Sequence, residues 1–160
     1  MKYTKLLLPA LAAFVLFACS NKQQASQAAE AVEVEETAVT PSVLLEPANA
    51  DTVITVTDPL NLAPGVKVER LTVVDFNAVW CGPCRQLAPV MEDAAKKYAG
   101  KADFYSVDVD KYGELMLAYD LGQSIPVVLL LRPDGTQIHY VGTGDLLPAD
   151  KFYDIIERNL

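Results

Sequence analysis

The stretch NAVWCGPCRQLAPVMEDAAKKYAG, residues 77–100, carries two of the chain's three cysteines, Cys81 and Cys84, with two residues between them. Its apolar positions Leu87, Val90, Met91, Ala94, Ala95 and Tyr98 recur at spacings of three and four, as in a helix with one face against a core. The spacing predicts a helix that starts near Cys81 and stops at Gly100, a residue suited to a left-handed C-terminal cap. Pro89 falls inside it and is expected to kink it. Just upstream, RLTVVDF at 70–76 reads as a buried central strand. A Cys-x-x-Cys pair in this setting admits three chemistries: half a zinc site, a structural disulfide, or a thiol pair that cycles between reduced and oxidised.

The third cysteine narrows the choice. The chain opens MKYTKLLLPALAAFVLFACS, where Lys2 and Lys5 precede an apolar run at 6–17 that is too short to span a bilayer. Small residues then lead into Cys19, the layout of an export signal. The ending Leu16-Phe17-Ala18-Cys19 resembles the lipobox of bacterial lipoproteins. That resemblance implies a signal peptide at 1–18, cleavage before Cys19 and diacylation of its thiol; a plain secretory signal with an incidental cysteine is the alternative. With Cys19 lipidated, only Cys81 and Cys84 remain, in a compartment where a dithiol has a meaningful redox poise. A structural zinc site usually takes four Cys or His ligands. The chain offers Cys81, Cys84 and the lone His139, so no metal is expected.

Residues 19–50 read as the lipidated cysteine and a flexible acidic linker. Glu30, Glu33, Glu35, Glu36 and Glu46 stand against Lys22, with no aromatic residue and no sustained periodicity. As a coil of roughly 30 residues it would span about 30 Å root-mean-square, or about 100 Å drawn out. The whole chain is acidic, with a formal net charge of −8, which excludes nucleic acid as a partner on electrostatic grounds.

Residues 51–160 are long enough for one core and too short for two. TVITVT at 52–57 alternates like a strand, and 58–68, with two prolines and a glycine, reads as loop. A strand is predicted at 102–109, a short helix at 112–119, and a strand at 127–131. Pro133-Asp134-Gly135 makes a tight turn to a hairpin partner at 136–141. Pro148 opens a last helix with Phe152, Ile155, Ile156 and Leu160 on one apolar face. The order predicts an α/β domain around a mixed sheet.

Trp80-Cys-Gly-Pro-Cys84 after a strand, Pro89 in the following helix, Ser124-Ile-Pro126 before a strand, the Pro-Asp-Gly hairpin and Val141-Gly142 together resemble the thioredoxin family. The resemblance covers about 68–160 and lacks a long insert between 102 and 125. It implies the thioredoxin fold, a central mixed β-sheet flanked by helices on both faces. The region before 68 matches poorly, so the family's first helix is expected to be shortened or missing.

The resemblance also implies roles. A thiol attacks disulfides as thiolate, and a helix N-terminus, with its unpaired N–H groups and dipole, favours that anion at Cys81. Cys81 is expected to be the nucleophile, nearest the surface. Cys84, three residues on along the same helix face and deeper, is expected to resolve the mixed disulfide, so that Cys81–Cys84 is the redox-active disulfide. Pro83 sits where its missing N–H costs nothing, and Gly82 clears the approach. Asp75, a carboxyl in an apolar strand, is expected to have a raised pKa and to take the Cys84 proton. Its usual lysine neighbour is replaced by Ser106. Ile125-Pro126 is expected to be cis, exposing the Ile125 backbone to an extended substrate. Trp80 is expected to cover one side of the site and Gly142 to leave room on another. Asn77, in place of a common tryptophan, is expected to make the rim more polar, and His139 to be exposed and inert.

These readings point to a thiol-disulfide oxidoreductase of the cell envelope. It is expected to reduce disulfides of exported proteins, without a cofactor, and to be recharged by a membrane thiol relay. The lipid anchor places it on the periplasmic side of a bacterial membrane, and Ser20 after the lipidated cysteine resembles outer-membrane rather than inner-membrane sorting. An oxidant or isomerase with the same chemistry is one alternative. A redox-silent adaptor is another, disfavoured because binding alone does not require both thiols.

Overall fold

The computed structural model describes residues 44–45, 47–48 and 50–160. The expected signal peptide, Cys19 and the expected linker up to residue 43 lie outside the described residues. Chain order runs β1 Leu44–Leu45, β2 Ile54–Thr55, β3 Lys67–Val68, β4 Leu71–Asn77, α1 Gly82–Lys97 and β5 Ala102–Asp108. It continues with α2 Val109–Tyr112, α3 Glu114–Ala118, β6 Val127–Leu131, β7 Gln137–Val141 and α4 Ala149–Asn159. The main sheet has the order β2-β5-β4-β6-β7, and β1 pairs with β3 separately.

A strand covered on both faces reads as a near-continuous apolar run. β4 is such a strand, buried along its length until Asn77. It lies between β5, parallel, and β6, antiparallel. Its alternation sorts the core into two layers. Leu71 and Val73 pack with Leu87 and Met91 of α1 and with Phe152, Ile155 and Ile156 of α4. Val74 and Phe76 point the other way, to Leu115 and Met116 of α3. Each fully buried Leu, Ile or Phe contributes about 1.5–3 kcal/mol. The sheet is mixed and has helices on both faces, the expected thioredoxin fold.

Asp75 and Asn77 belong to the α1 side of β4, because they continue the alternate row of Leu71 and Val73. Ser106 continues the row of Ala102 and Phe104 on β5, and it is in register with Asp75. Thr55 on β2 is in register with Ser106. Three adjacent parallel strands thus carry a polar row, Asp75–Ser106–Thr55, at the sheet end where α1 begins.

Several elements are shorter than the sequence implies. β2 keeps only Ile54–Thr55 because it is the sheet's edge and only one neighbour orders it. The expected loop at 58–68 contains a short 3-10 helix, Pro59–Leu62, capped by the Asp58 side chain, and β3. The helix expected at 112–119 is two, broken at Gly113, where a Cβ would meet the Val109 carbonyl oxygen at 2.9 Å. α1 ends at Lys97, and Gly100, with φ 75°, serves the turn that follows. Leu160 lies past α4 and is 54% exposed, so it does not extend the apolar face. Leu44 and Leu45, inside the stretch read as linker, pair with Lys67 and Val68.

The far end of α1 is fixed to α4. Tyr98 Oη donates to Glu157 Oε1 at 2.8 Å, and the Lys97 ammonium lies 3.2 Å from the same oxygen and 4.2 Å from the Tyr153 ring centre.

Candidate active site

β4 delivers the chain to a short connection, 78–80, and Cys81 caps α1. Cys81 is extended (φ −78°, ψ 107°), and its Sγ accepts the Cys84 backbone N–H at 3.2 Å. Sulfur therefore occupies the place where a capping oxygen usually satisfies a first-turn donor. The Cys81 N–H is held by the Ala78 carbonyl at 3.0 Å, which fixes the cap's entry angle. Pro83 lies in the first turn, as its missing donor allows. A side chain on Gly82 would meet nothing nearer than the Arg85 guanidinium at 3.9 Å, so the approach over this residue is open.

Cys81 and Cys84 are joined as a disulfide, with their Cα atoms 5.3 Å apart. The expected difference in depth between them is absent: Cys81 is 4% exposed and Cys84 3%. The bond turns the Cys81 sulfur inward, and Ala78, Val109 and Ile125 close around the pair. Position at the helix cap, and not exposure, distinguishes the two sulfurs.

Around them the structure sets an apolar rim. Trp80 is 64% exposed, and its indole N–H donates to both oxygens of Asp110, at 2.9 and 3.2 Å. This fixes the ring beside the disulfide. The Ile125–Pro126 peptide is cis, as the resemblance implied, and Leu147–Pro148 is also cis, which the sequence reading did not anticipate. Among the described residues no backbone hydrogen bond engages Ile125, while the Pro126 carbonyl accepts the Gly142 N–H at 2.8 Å. Gly142 has φ 75° and open space where a Cβ would be. Its requirement is therefore backbone conformation more than room. His139 is exposed on β7.

Behind the disulfide lies Asp75, 4% exposed. Burial pushes its carboxyl from 3.8 up to about 7, although the hydrogen bond from Asn77 lowers it. Asn77 is not a rim residue. Sharing the face of Asp75, its amide points inward and donates to Asp75 Oδ2 at 3.0 Å and to Ser106 Oγ at 2.8 Å. Asp75 Oδ1 is buried with no partner among the described residues. Asp75, Asn77, Ser106 and Cys84 line one cavity of about 220 Å³ that also reaches Thr55, Arg85 and Glu92. No group of three or more His, Cys, Asp or Glu side chains suited to a metal occurs among the described residues.

A disulfide capping a helix, a cis proline beside it and a buried carboxyl behind it form one unit. The thioredoxin family model matches residues 53–157. The chain belongs to the thioredoxin family. Thioredoxin from Borreliella burgdorferi is 40% identical over 89 residues, 56% of this chain and 73% of that one. Thioredoxin from Staphylococcus aureus is 36% identical over 95 residues, 59% and 88% of the two chains. Among solved structures, the N21Q mutant thioredoxin from Halobacterium salinarum superimposes with a TM-score of 0.55 at 29% identity. It covers 68% of this chain and 91% of its own. Malassezia sympodialis thioredoxin gives 0.57 at 26% identity, covering 68% and 90%. The family match begins well before residue 68, so the poorly resembling stretch is part of the thioredoxin domain, with a 3-10 turn as its helical element. The protein is a thioredoxin-type disulfide oxidoreductase, and Cys81 and Cys84 are its redox pair.

Proposed function

We propose that this thioredoxin is a lipid-anchored envelope enzyme that reduces disulfides in exported proteins. The observation that carries the chemistry is Cys81 Sγ at the cap of α1, accepting an N–H that would stabilise a thiolate. The lipobox at Cys19 supports the location, on the periplasmic side of a membrane and with outer-membrane sorting.

In this reading the Cys81 thiolate attacks one sulfur of a substrate disulfide. That bond breaks, one substrate sulfur leaves as thiolate and takes a proton from solvent, and the other is joined to Cys81. Asp75 takes the Cys84 proton, and the Cys84 thiolate attacks Cys81 Sγ. The Cys81–substrate bond breaks as the Cys81–Cys84 bond forms. The second substrate thiolate is protonated in turn. The substrate has gained two electrons and two protons. A membrane thiol relay, itself oxidised from dithiol to disulfide, returns two electrons, and Cys81 and Cys84 recover their protons from solvent and Asp75. Trp80, Gly82, Pro83, the unengaged Ile125 backbone, Pro126 and Gly142 frame the surface on which an extended substrate segment would pair.

The test is to express the full chain with Cys84→Ser and isolate mixed disulfides from the envelope. Exported proteins bound through Cys81 are expected. No adducts would favour a binding adaptor. A wild-type pair held oxidised at steady state would favour the oxidant.

A further inference from the structure

The polar row across β4, β5 and β2 has a gradient: Asp75 is buried, Ser106 half-buried and Thr55 exposed at the sheet edge. All three face the cavity behind Cys84. At about 220 Å³ it has room for several waters, each taking about 30 Å³ in the liquid. Its walls carry the Asp75 carboxyl, the Asn77 amide and the Ser106 and Thr55 hydroxyls, enough to supply the two to four polar partners that a water requires. Asn77 donates its amide to Asp75 Oδ2 and Ser106 Oγ, and also to the Asp75 carbonyl at 3.2 Å, which holds both side-chain oxygens on the cavity wall. The Ser106 hydroxyl accepts that bond, so its own proton is free to be donated.

We propose that Asn77 and Ser106 are positioning residues that hold the Asp75 carboxyl open to this cavity, making the row toward Thr55 the exit for the proton that Cys84 gives up. The balance is simple. Cys84–SH transfers its proton to the Asp75 carboxylate, and the carboxylic acid then passes it to water in the cavity. Asp75 is left ionised for the next turnover. Without such a route the proton could leave Asp75 only by returning to the Cys84 thiolate when the disulfide is next reduced; with it, the oxidised enzyme releases the proton to solvent at once.

This inference rests on Asp75 as the proton acceptor. Other charged groups facing the cavity are few. Arg85 and Glu92 of α1 are exposed, and the Arg85 guanidinium is engaged by the Val79 carbonyl at 3.1 Å. Asp108, in register with Asn77, accepts the Asp110 N–H and pairs with Lys111 at 3.6 Å. β6 faces Asp75 with Val128.

The experiment follows the resolving step in the full chain. A mixed disulfide is preformed between Cys81 and a chromogenic thiol, and its release is timed from pH 5 to 9. Asn77→Leu and Ser106→Val remove the polar groups at similar size. Asn77→Leu loses the bond to Asp75 itself and is expected to move the midpoint of the profile upward by about one unit, the scale of one lost hydrogen bond to a charged group; Ser106→Val, which loses the partner of Asn77 and the hydroxyl on the exit row, is expected to move it the same way by less. Release near pH 6.5 should slow about tenfold in Asn77→Leu, while the first attack by Cys81 is unchanged in both. Ser106→Thr keeps the hydroxyl and is expected to restore the profile. Asp75→Asn separates the two levels of the argument. Should Asp75→Asn keep the wild-type profile, Asp75 is not the acceptor. Should it lose the profile while Asn77→Leu and Ser106→Val keep it, or should Ser106→Thr behave as Ser106→Val does, the exit route alone is overturned.

Discussion

The backbone N–H of Cys84 points at Sγ of Cys81 from 3.2 Å, within the same first turn of α1 that both residues define. An amide donor aimed at sulfur stabilises the anion over the thiol. In the reduced protein, alkylation by iodoacetamide is therefore expected to fall first on Cys81, with a midpoint below the ordinary thiol value of about 8.5. Cys81→Ser should abolish dithiothreitol-driven reduction of insulin. Full activity in that variant would assign the attack to Cys84.

Asp75 gives stability a pH dependence of known sign. Its folded pKa, about 7, lies above the unbound value of 3.8, so between these the folded state holds a proton that the unfolded state has lost. Stability contributed by the buried acid is complete below pH 3.8 and is lost as pH rises to 7, a change of about 4 kcal/mol. Asp75→Ala is expected to flatten this slope and to melt no earlier than wild type at pH 8, while turning over more slowly. Denaturant titrations of the oxidised protein across pH 4–8 check this. A wild-type curve that is flat there would mean that Asp75 is solvated.

Trp80 is the chain's single tryptophan, so its fluorescence reports on one indole. Asp110→Ala removes the acceptor at 2.9 Å and frees the ring. The emission is expected to shift, and KM for a protein substrate to rise a few-fold with kcat held, because Trp80 presents a surface and takes no part in proton or electron transfer. A drop in kcat at unchanged KM would contradict that role.

Gly142→Ala puts a Cβ into open space at φ 75°, so its cost is conformational. About 1–2 kcal/mol of stability is expected to be lost. Relaxing that strain would shift the N–H that holds the Pro126 carbonyl, so substrate affinity should fall as well. Thermal melting alongside KM tests both; a variant as stable as wild type would mean that the loop adapts freely.

Anchoring is tested at Cys19. Cys19→Ala is expected to remove palmitate labelling and release the protein from the membrane fraction, since burial of acyl chains contributes about 0.8 kcal/mol per CH₂. Labelling that survives the substitution places the lipid elsewhere.

The parts of this fold that were legible in sequence are those where one local signal suffices. β4, β5, β6 and α1 announce themselves by apolar runs or by three-and-four spacing, and the redox pair by its spacing beside Trp80. What escaped depends on neighbours distant in the chain. The edge position shortens β2. Asn77 meets Ser106 across 29 residues, a partner that no local pattern names. Alternation alone would have placed Asn77 on the face of Asp75, and that was the available clue. The inward turn of Cys81 follows from the disulfide and the side chains that close over it, not from its place in the helix.

The clamp between Tyr98, Lys97, Tyr153 and Glu157 divides α1 into two mechanical halves. One end is held to α4 by contacts that have no sulfur in them, while the first turn at the other is closed by a bond within the helix that the enzyme makes and breaks at every turnover. Amide hydrogen exchange should register this asymmetry. Protection over 94–98 is expected to be the same in both oxidation states, and protection over 82–86 to drop on reduction. The helix would then act as a cantilever, free to breathe where chemistry occurs and rigid where the core is built.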